Sequence, residues 1–313
     1  MTVDGADVLS DAELHDLLEK TSRTFAVSIP LLDEPTRRRV GLSYLLLRIA
    51  DNFEDAAAWP KADRIAALQR FIDVLAADDG SEDLAPAEVE GWVASRPQEI
   101  DGYLELIERA PQVIDAARTL GSQSWRIVRR HVTRSARGMI ETVERSNAEG
   151  RVELRDLEDL KAYCYLVAGI VGELLTELFV LEAPVLESVL PELEARAARF
   201  GEALQLVNIV KDAAADALEG RRFLPAGVEL EEVFDLARRD LEVAQEYVEL
   251  MRREGTPTGH LAFTALPVRL AWDTLRAVER DGAGAKVSRA AVAGHVQAVR
   301  LAIENGTPLF EDG

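Results

Sequence analysis

Two pairs of aspartates, each set four residues apart, carry most of the chemistry this sequence offers: Asp51 with Asp55, and Asp212 with Asp216. On a helix, residues four apart point the same way, so each pair reads as two carboxylates side by side. Like charges at that spacing cost an isolated helix roughly 0.2–0.5 kcal/mol, and more where water is excluded. A divalent cation would offset that cost. Going back along the first face, Arg48 precedes Asp51 by three residues and Tyr44 precedes Arg48 by four. Tyr, Arg, Asp and Asp therefore line about 16 Å of one helix face at about 1.5 Å per residue. Around the second pair, Gln205, Asn208, Asp212 and Asp216 share a face, with Lys211 beside them and Arg221 and Arg222 just beyond. Carboxylate oxygens suit Mg2+, which keeps part of its water shell and links few carboxylates to substrate phosphates. Arg and Lys suit the remaining phosphate oxygens. The chemistry that uses all of these is diphosphate ionisation, with metal and cations stabilising the leaving group. An apolar cavity would then shield a carbocation from water. One such pair alone reads as an exposed acidic turn; two, each with cations at turn spacing, read as a site.

The elements that must position these residues are helices. Ala, Leu, Glu and Arg dominate the 313 residues, and β-type alternation is absent, so helix is favoured almost throughout. Ser10, with Glu13 three residues on, marks the start of a first helix over 8–20. Asp33, Glu34 and Pro35 mark the start of the helix that carries Tyr44 to Asp55. Further helices are expected over 61–78, one or two over 101–146, then 153–181, 190–219, 228–254, 261–279 and 288–304, with a loop and short helix over 79–100. The 153–181 segment is nearly all apolar in its second half and contains Ala168, Gly169 and Gly172, so it should be central and tightly packed. The expectation is an all-α single domain spanning 1–313, with long helices around a central apolar cavity.

Composition narrows the partners. The 56 acidic and 36 basic residues give a net charge of −20, which argues against nucleic acid. One cysteine, Cys164, excludes an internal disulfide and fits a reducing compartment. The histidines are scattered without metal-ligand spacing. The acidic N-terminus is not a signal peptide, and no uninterrupted 18-residue apolar run suggests a transmembrane anchor. A cytoplasmic protein, at most peripheral to the inner face of the membrane, is expected.

Four segments occur in the order found in the squalene/phytoene synthase family, which this chain resembles over roughly 15–290: SRTF at Ser22–Phe25, YLLLRIADNFED at Tyr44–Asp55, YCYLVAGIVG at Tyr163–Gly172 and NIVKDAAADALEGRRFLP at Asn208–Pro225. The resemblance implies an all-α isoprenoid synthase fold and the head-to-head joining of two prenyl diphosphates with Mg2+. It implies that Asp51, Asp55, Asp212 and Asp216 bind metal. Ser22, Arg23, Arg48, Gln205, Asn208, Lys211 and Arg221 would meet substrate. Tyr44, Arg48, Tyr163 and Tyr165 would take part in catalysis, an aromatic face stabilising the cation or a hydroxyl guiding a proton. Squalene synthesis also needs NADPH, for which Lys286 is the best-placed basic residue. The sequence departs from the family at Lys211, where arginine is usual, at Ala215, where an acid is usual, and at Leu166, where squalene synthases place tyrosine.

Farnesyl diphosphate is the expected substrate and squalene the expected product, with phytoene, dehydrosqualene or hydroxysqualene as alternatives. Contact with a membrane surface would serve product release. A terpene cyclase would show Asn, Ser or Thr, and Glu in the second motif, where this chain has Asn208, Asp212 and Asp216. A non-catalytic prenyl-lipid binder is the reading from another class, hinted at only by Lys211 and Ala215.

Overall fold

The computed structural model describes residues 9–22, 24–77, 81–147, 152–218 and 222–310. Among these no strand forms; Glu153 and Arg222 make one isolated parallel bridge. The chain divides into two compact units, the first of residues 1–29 and 34–150, the second of 30–33 and 151–313.

The first unit holds α1 (Asp11–Thr21), α2 (Phe25–Ser28), α3 (Thr36–Glu54), α4 (Lys61–Ala76), α5 (Pro86–Ala94), α6 (Asp101–Glu108), α7 (Ala110–Arg118) and α8 (Ser122–Arg145). Helix α1 begins at the expected capping box, with Ser10 and Glu13 each bonding the other's backbone N–H. Glu13 also pairs with Arg109 at 2.7 Å, and these bonds hold its carboxyl down at about 2. Helix α3 is the centre of this unit and packs on α4, α7 and α8. Leu42, Leu45, Leu46, Ile49, Ala50 and Phe53 of α3 are fully buried. Each buried large apolar side chain contributes about 1.5–3 kcal/mol, so the helix is held by its apolar sides while its Tyr–Arg–Asp face remains half-open. The segment read as one or two helices over 101–146 is three, because the chain breaks at Arg109 and restarts with Pro111 in the first turn of α7, a position suited to proline.

The second unit holds α9 (Leu157–Cys164), a π-helical turn (Tyr165–Gly169), α10 (Ile170–Glu182), α11 (Leu190–Leu218), α12 (Leu230–Arg253), α13 (Thr258–Asp281) and α14 (Arg289–Asn305). The expected single helix over 153–181 is therefore interrupted: the Ile170 N–H donates to the Tyr165 carbonyl, five residues back. Counted as one stretch, Leu157–Glu182 is long and apolar enough to cross a membrane, with a mean hydropathy of 1.9, which amends the reading of no such segment. Half of that window is buried within the fold, and it packs against α11. A Cβ on Gly172 would stand 1.9 Å from the Ala197 carbonyl oxygen, and one on Gly201 would stand 2.0 Å from that of Ala168. The two backbones touch there, and only glycine fits.

Candidate functional site

In the first unit, α3 delivers its four polar residues to one face, as the 3.6-residue repeat requires. The Tyr44 hydroxyl donates to the Thr21 carbonyl at 2.9 Å and accepts from Arg48 Nε and Nη2 at 3.3 and 3.2 Å. Arg48 Nη1 lies 3.2 Å from Asp51 Oδ2. Burial alone would lower the Arg48 guanidinium, but Asp51, Tyr44 and Tyr103 outweigh it and hold it firmly charged. Asp51 is pushed up to about 6, chiefly by burial and further by Asp55, with Arg48 opposing. Asp55 caps the C-terminal end of α3, whose last turn has no basic residue. Asp51, Glu54 and Asp55 thus crowd the negative end of the helix dipole, where a carboxylate is disfavoured by about 0.3–1 kcal/mol. Arg64 of α4, which is buried, donates to the Glu54 carbonyl. Ser22 closes α1 and accepts from the Phe25 N–H at 3.0 Å. Arg23 lies outside the described residues.

In the second unit, α11 carries Gln205, Asn208, Asp212 and Asp216 along one side. Lys211 Nζ donates to Asn208 Oδ1 at 3.3 Å and stands 3.1 Å from Asp212 Oδ2. The Gly284 N–H donates to the Lys211 carbonyl at 2.7 Å. That bond ties the loop bearing the exposed Lys286 to the helix turn with the acidic pair. Arg221 lies outside the described residues. Tyr163 is buried and stacks on Phe223 at 4.9 Å, while the Tyr165 hydroxyl donates to Glu173 Oε1 at 3.1 Å.

Among the described residues, no three His, Cys, Asp or Glu side chains gather within reach of one metal ion. The donors are all carboxylate oxygens in pairs, the type Mg2+ takes, leaving several positions for water and phosphate oxygens. The raised Asp51 carboxyl, crowded by Asp55, is what a cation would relieve. The residues therefore fit Mg2+.

The sequence did not point to three further groups. Tyr103 of α6 places its ring centroid 5.6 Å from the Arg48 guanidinium carbon. Glu202 sits one turn before Gln205, and Glu173 bonds Tyr165. A Cβ on Gly169 would lie 2.8 Å from Tyr165 Cδ2 and 2.9 Å from Glu202 Oε1, so that ring and carboxyl are neighbours. The signal for Glu202 was its three-residue spacing from Gln205 on an apolar helix. Burial, then Asp240, pushes Glu202 up to about 7, with Arg199 opposing and Glu173 adding. A carboxyl raised in the folded state binds a proton there that the unfolded chain releases. Its stabilising contribution is complete below the ordinary carboxylate range and lost as pH rises through about 7. The stability difference between the wild type and Glu202→Gln, followed by urea unfolding, should therefore shift in favour of Gln from about pH 5 to 8. A difference independent of pH would show that Glu202 titrates normally.

These features define an all-α protein with two acidic helix faces accompanied by cations. The family model of squalene/phytoene synthases matches residues 18–229, and the chain belongs to this family. A probable squalene synthase of Neurospora crassa is 31% identical over 209 residues, covering 66% of this chain and 40% of that protein. A squalene synthase of Schizosaccharomyces pombe is 31% identical over 214 residues, covering 67% and 43%. The match thus spans less than half the length of these relatives. Among solved structures, TcSQS in complex with the ligand E5700 aligns with a TM-score of 0.75 at 25% identity, covering 91% of this chain and 84% of that one. A ligand-bound dehydrosqualene synthase aligns at 0.59 and 19% identity over 94% and 96%, a likeness of fold. The expected all-α isoprenoid synthase fold is borne out.

Proposed function

We propose that the protein is a Mg2+-dependent prenyltransferase that joins two farnesyl diphosphates head to head, through presqualene diphosphate, to squalene. The observation that carries this reading is that the family match runs through both acidic pairs, from before Tyr44 to beyond Arg222. Asp51, Asp55, Asp212 and Asp216 would hold Mg2+, which supplies positive charge to the departing diphosphate. Arg48, already charged and aligned by Tyr44, offers N–H donors to phosphate oxygens. Lys211, with Asn208 and Gln205 on the same helix, does the same from α11. Ser22, Arg23 and Arg221 belong to the same substrate-binding set.

In the first half-reaction the C1–O bond of the donor breaks and diphosphate leaves. The acceptor's double bond attacks the allylic cation, and loss of a proton closes the cyclopropane. In the second, the remaining diphosphate leaves and the skeleton rearranges; NADPH, when bound, would supply the hydride that gives squalene and would become NADP+. Tyr163 and Tyr165 would face the cation or its proton, and Lys286, anchored beside α11 through Gly284, would meet NADPH. Contact with a membrane surface would let the hydrocarbon leave.

Incubating the protein with farnesyl diphosphate and Mg2+, with and without NADPH, and identifying the hydrocarbon tests this directly. Squalene should form only with NADPH. A product unchanged by NADPH would assign dehydrosqualene or hydroxysqualene synthesis, and a product only from the longer geranylgeranyl diphosphate would assign phytoene synthesis. No product from either substrate would leave a binding protein.

A further inference from the structure

Arg48 has more neighbours than an ion pair needs. Its Nε and Nη2 both point to the Tyr44 hydroxyl, so the fork that would suit a carboxylate is turned away from Asp51. Only Nη1 faces Asp51 Oδ2, at 3.2 Å. On another side stands the Tyr103 ring, its centroid 5.6 Å from the guanidinium carbon. A cation over an aromatic face gains about 0.5–2 kcal/mol, the upper end when desolvated.

The place of Tyr103 is fixed from two helices. Asn52 of α3 donates from Nδ2 to the Tyr103 carbonyl at 3.4 Å, and the Asn52 carbonyl accepts from Gln98 Nε2 at 2.9 Å. Next to Tyr103, a Cβ on Gly102 would lie 2.9 Å from both the Lys20 carbonyl oxygen and the Lys20 Cβ, so α6 presses on the end of α1. Lys20 Nζ reaches Glu105 of α6 at 2.8 Å. One residue further, the Thr21 carbonyl accepts from Tyr44. The end of α1 therefore sets the position of both aromatic rings beside Arg48.

We infer that Tyr103 is a positioning residue: with Tyr44 it clamps the Arg48 guanidinium so that one nitrogen holds Asp51 while Asp51 keeps oxygens for metal and Arg48 keeps donors for diphosphate. This rests on the proposed function for its purpose, though not for its geometry. Without the Tyr103 ring, Arg48 turns its fork onto Asp51, and the two groups neutralise each other. The guanidinium lies over the ring of Tyr103, and the ring is what the clamp uses, so phenylalanine serves in its place.

Two readouts separate the clamp from the function. In the ligand-free protein, the Arg48 Nε–H resonance, assigned by its loss in Arg48→Lys, should be distinct in the wild type and in Tyr103→Phe. In Tyr103→Leu it should leave that position for one typical of an arginine paired with a carboxylate, as the fork turns onto Asp51. In calorimetry with Mg2+ and inorganic pyrophosphate, Tyr103→Leu should bind about tenfold more weakly, and Tyr103→Phe like the wild type. A Tyr103→Leu protein that keeps both the resonance and the affinity overturns the inference. So does a Tyr103→Phe protein that loses them. If the wild type binds no pyrophosphate while the resonance still follows the ring, the clamp stands and the diphosphate reading of this face fails.

Discussion

Replacing Asp55 or Asp212 with asparagine is expected to lower kcat/KM for prenyl diphosphate at least about a hundredfold while leaving the unfolding temperature little changed. The two halves of this expectation have separate causes. Asp55 is exposed at the negative end of α3, with Asp51 one turn behind it. Removing its charge relieves repulsion by the helix dipole and by a like charge, each worth a few tenths of a kcal/mol. Asp212 is about half exposed and pairs with Lys211, an interaction worth about 0–1 kcal/mol at a surface. Both carboxylates reach solvent, and the attraction of Asp55 to Arg64 works against the repulsion it suffers, so the net effect of either on the fold is small. Steady-state kinetics with Mg2+ beside circular-dichroism melting reads both halves. A variant that retains full turnover would remove that aspartate from the metal set. One that melts many degrees lower would make it structural.

The second large effect runs through packing alone. Gly172→Ala and Gly201→Ala should each destabilise the protein by more than about 3 kcal/mol, beyond the usual cost of overpacking. The atoms in the way are the carbonyl oxygens of Ala197 and Ala168, at 1.9 and 2.0 Å from the added methyl. Backbone cannot swing aside as a side chain can, so the helices would have to part, and α11 carries the second acidic pair. Gly91→Ala and Gly294→Ala form the contrast. Both glycines lie inside helices, α5 and α14, with nothing within 4 Å of an added methyl. There alanine should stabilise by about 0.5–1 kcal/mol through helix propensity. Urea unfolding of the four variants would show opposite signs for the two pairs. Equal effects in all four would mean that the crossing relaxes freely.

The acidic faces were legible in the sequence because a helical repeat converts spacing into direction: Tyr44, Arg48, Asp51 and Asp55 needed only their numbers. The capping box at Ser10 was legible for the same local reason. The break before α7 had a signal in Pro111, outweighed by the apolar periodicity on either side. Tyr103 had none. It lies more than fifty residues from Arg48 along the chain, and only the tertiary fold brings them together. Nor did YCYLVAGIVG announce a π-turn, since every residue in it except the glycines is at ease in an ordinary helix. Arg23 and Arg221, expected to meet diphosphate, fall outside the described residues, so their place rests on the resemblance.

The π-turn has a rotational consequence. An α-helix advances about 100° per residue, so positions eight apart diverge by about 80° while those seven apart nearly coincide. Tyr165 and Glu173 are eight apart, yet they share a hydrogen bond. The wider turn between them absorbs one residue and brings the two side chains back into phase. It also sets the clocking of everything that follows: Gly172 meets α11 only because that residue has been taken up before it. Deleting Leu166 would restore a regular helix with Tyr165 and Glu173 seven apart, still in phase, whereas a regular helix of the present length would turn Tyr165 away from Glu173 and rotate a side chain into the crossing. The segment works as a phase shifter: its extra residue leaves the downstream face unturned because the wider turn takes it up.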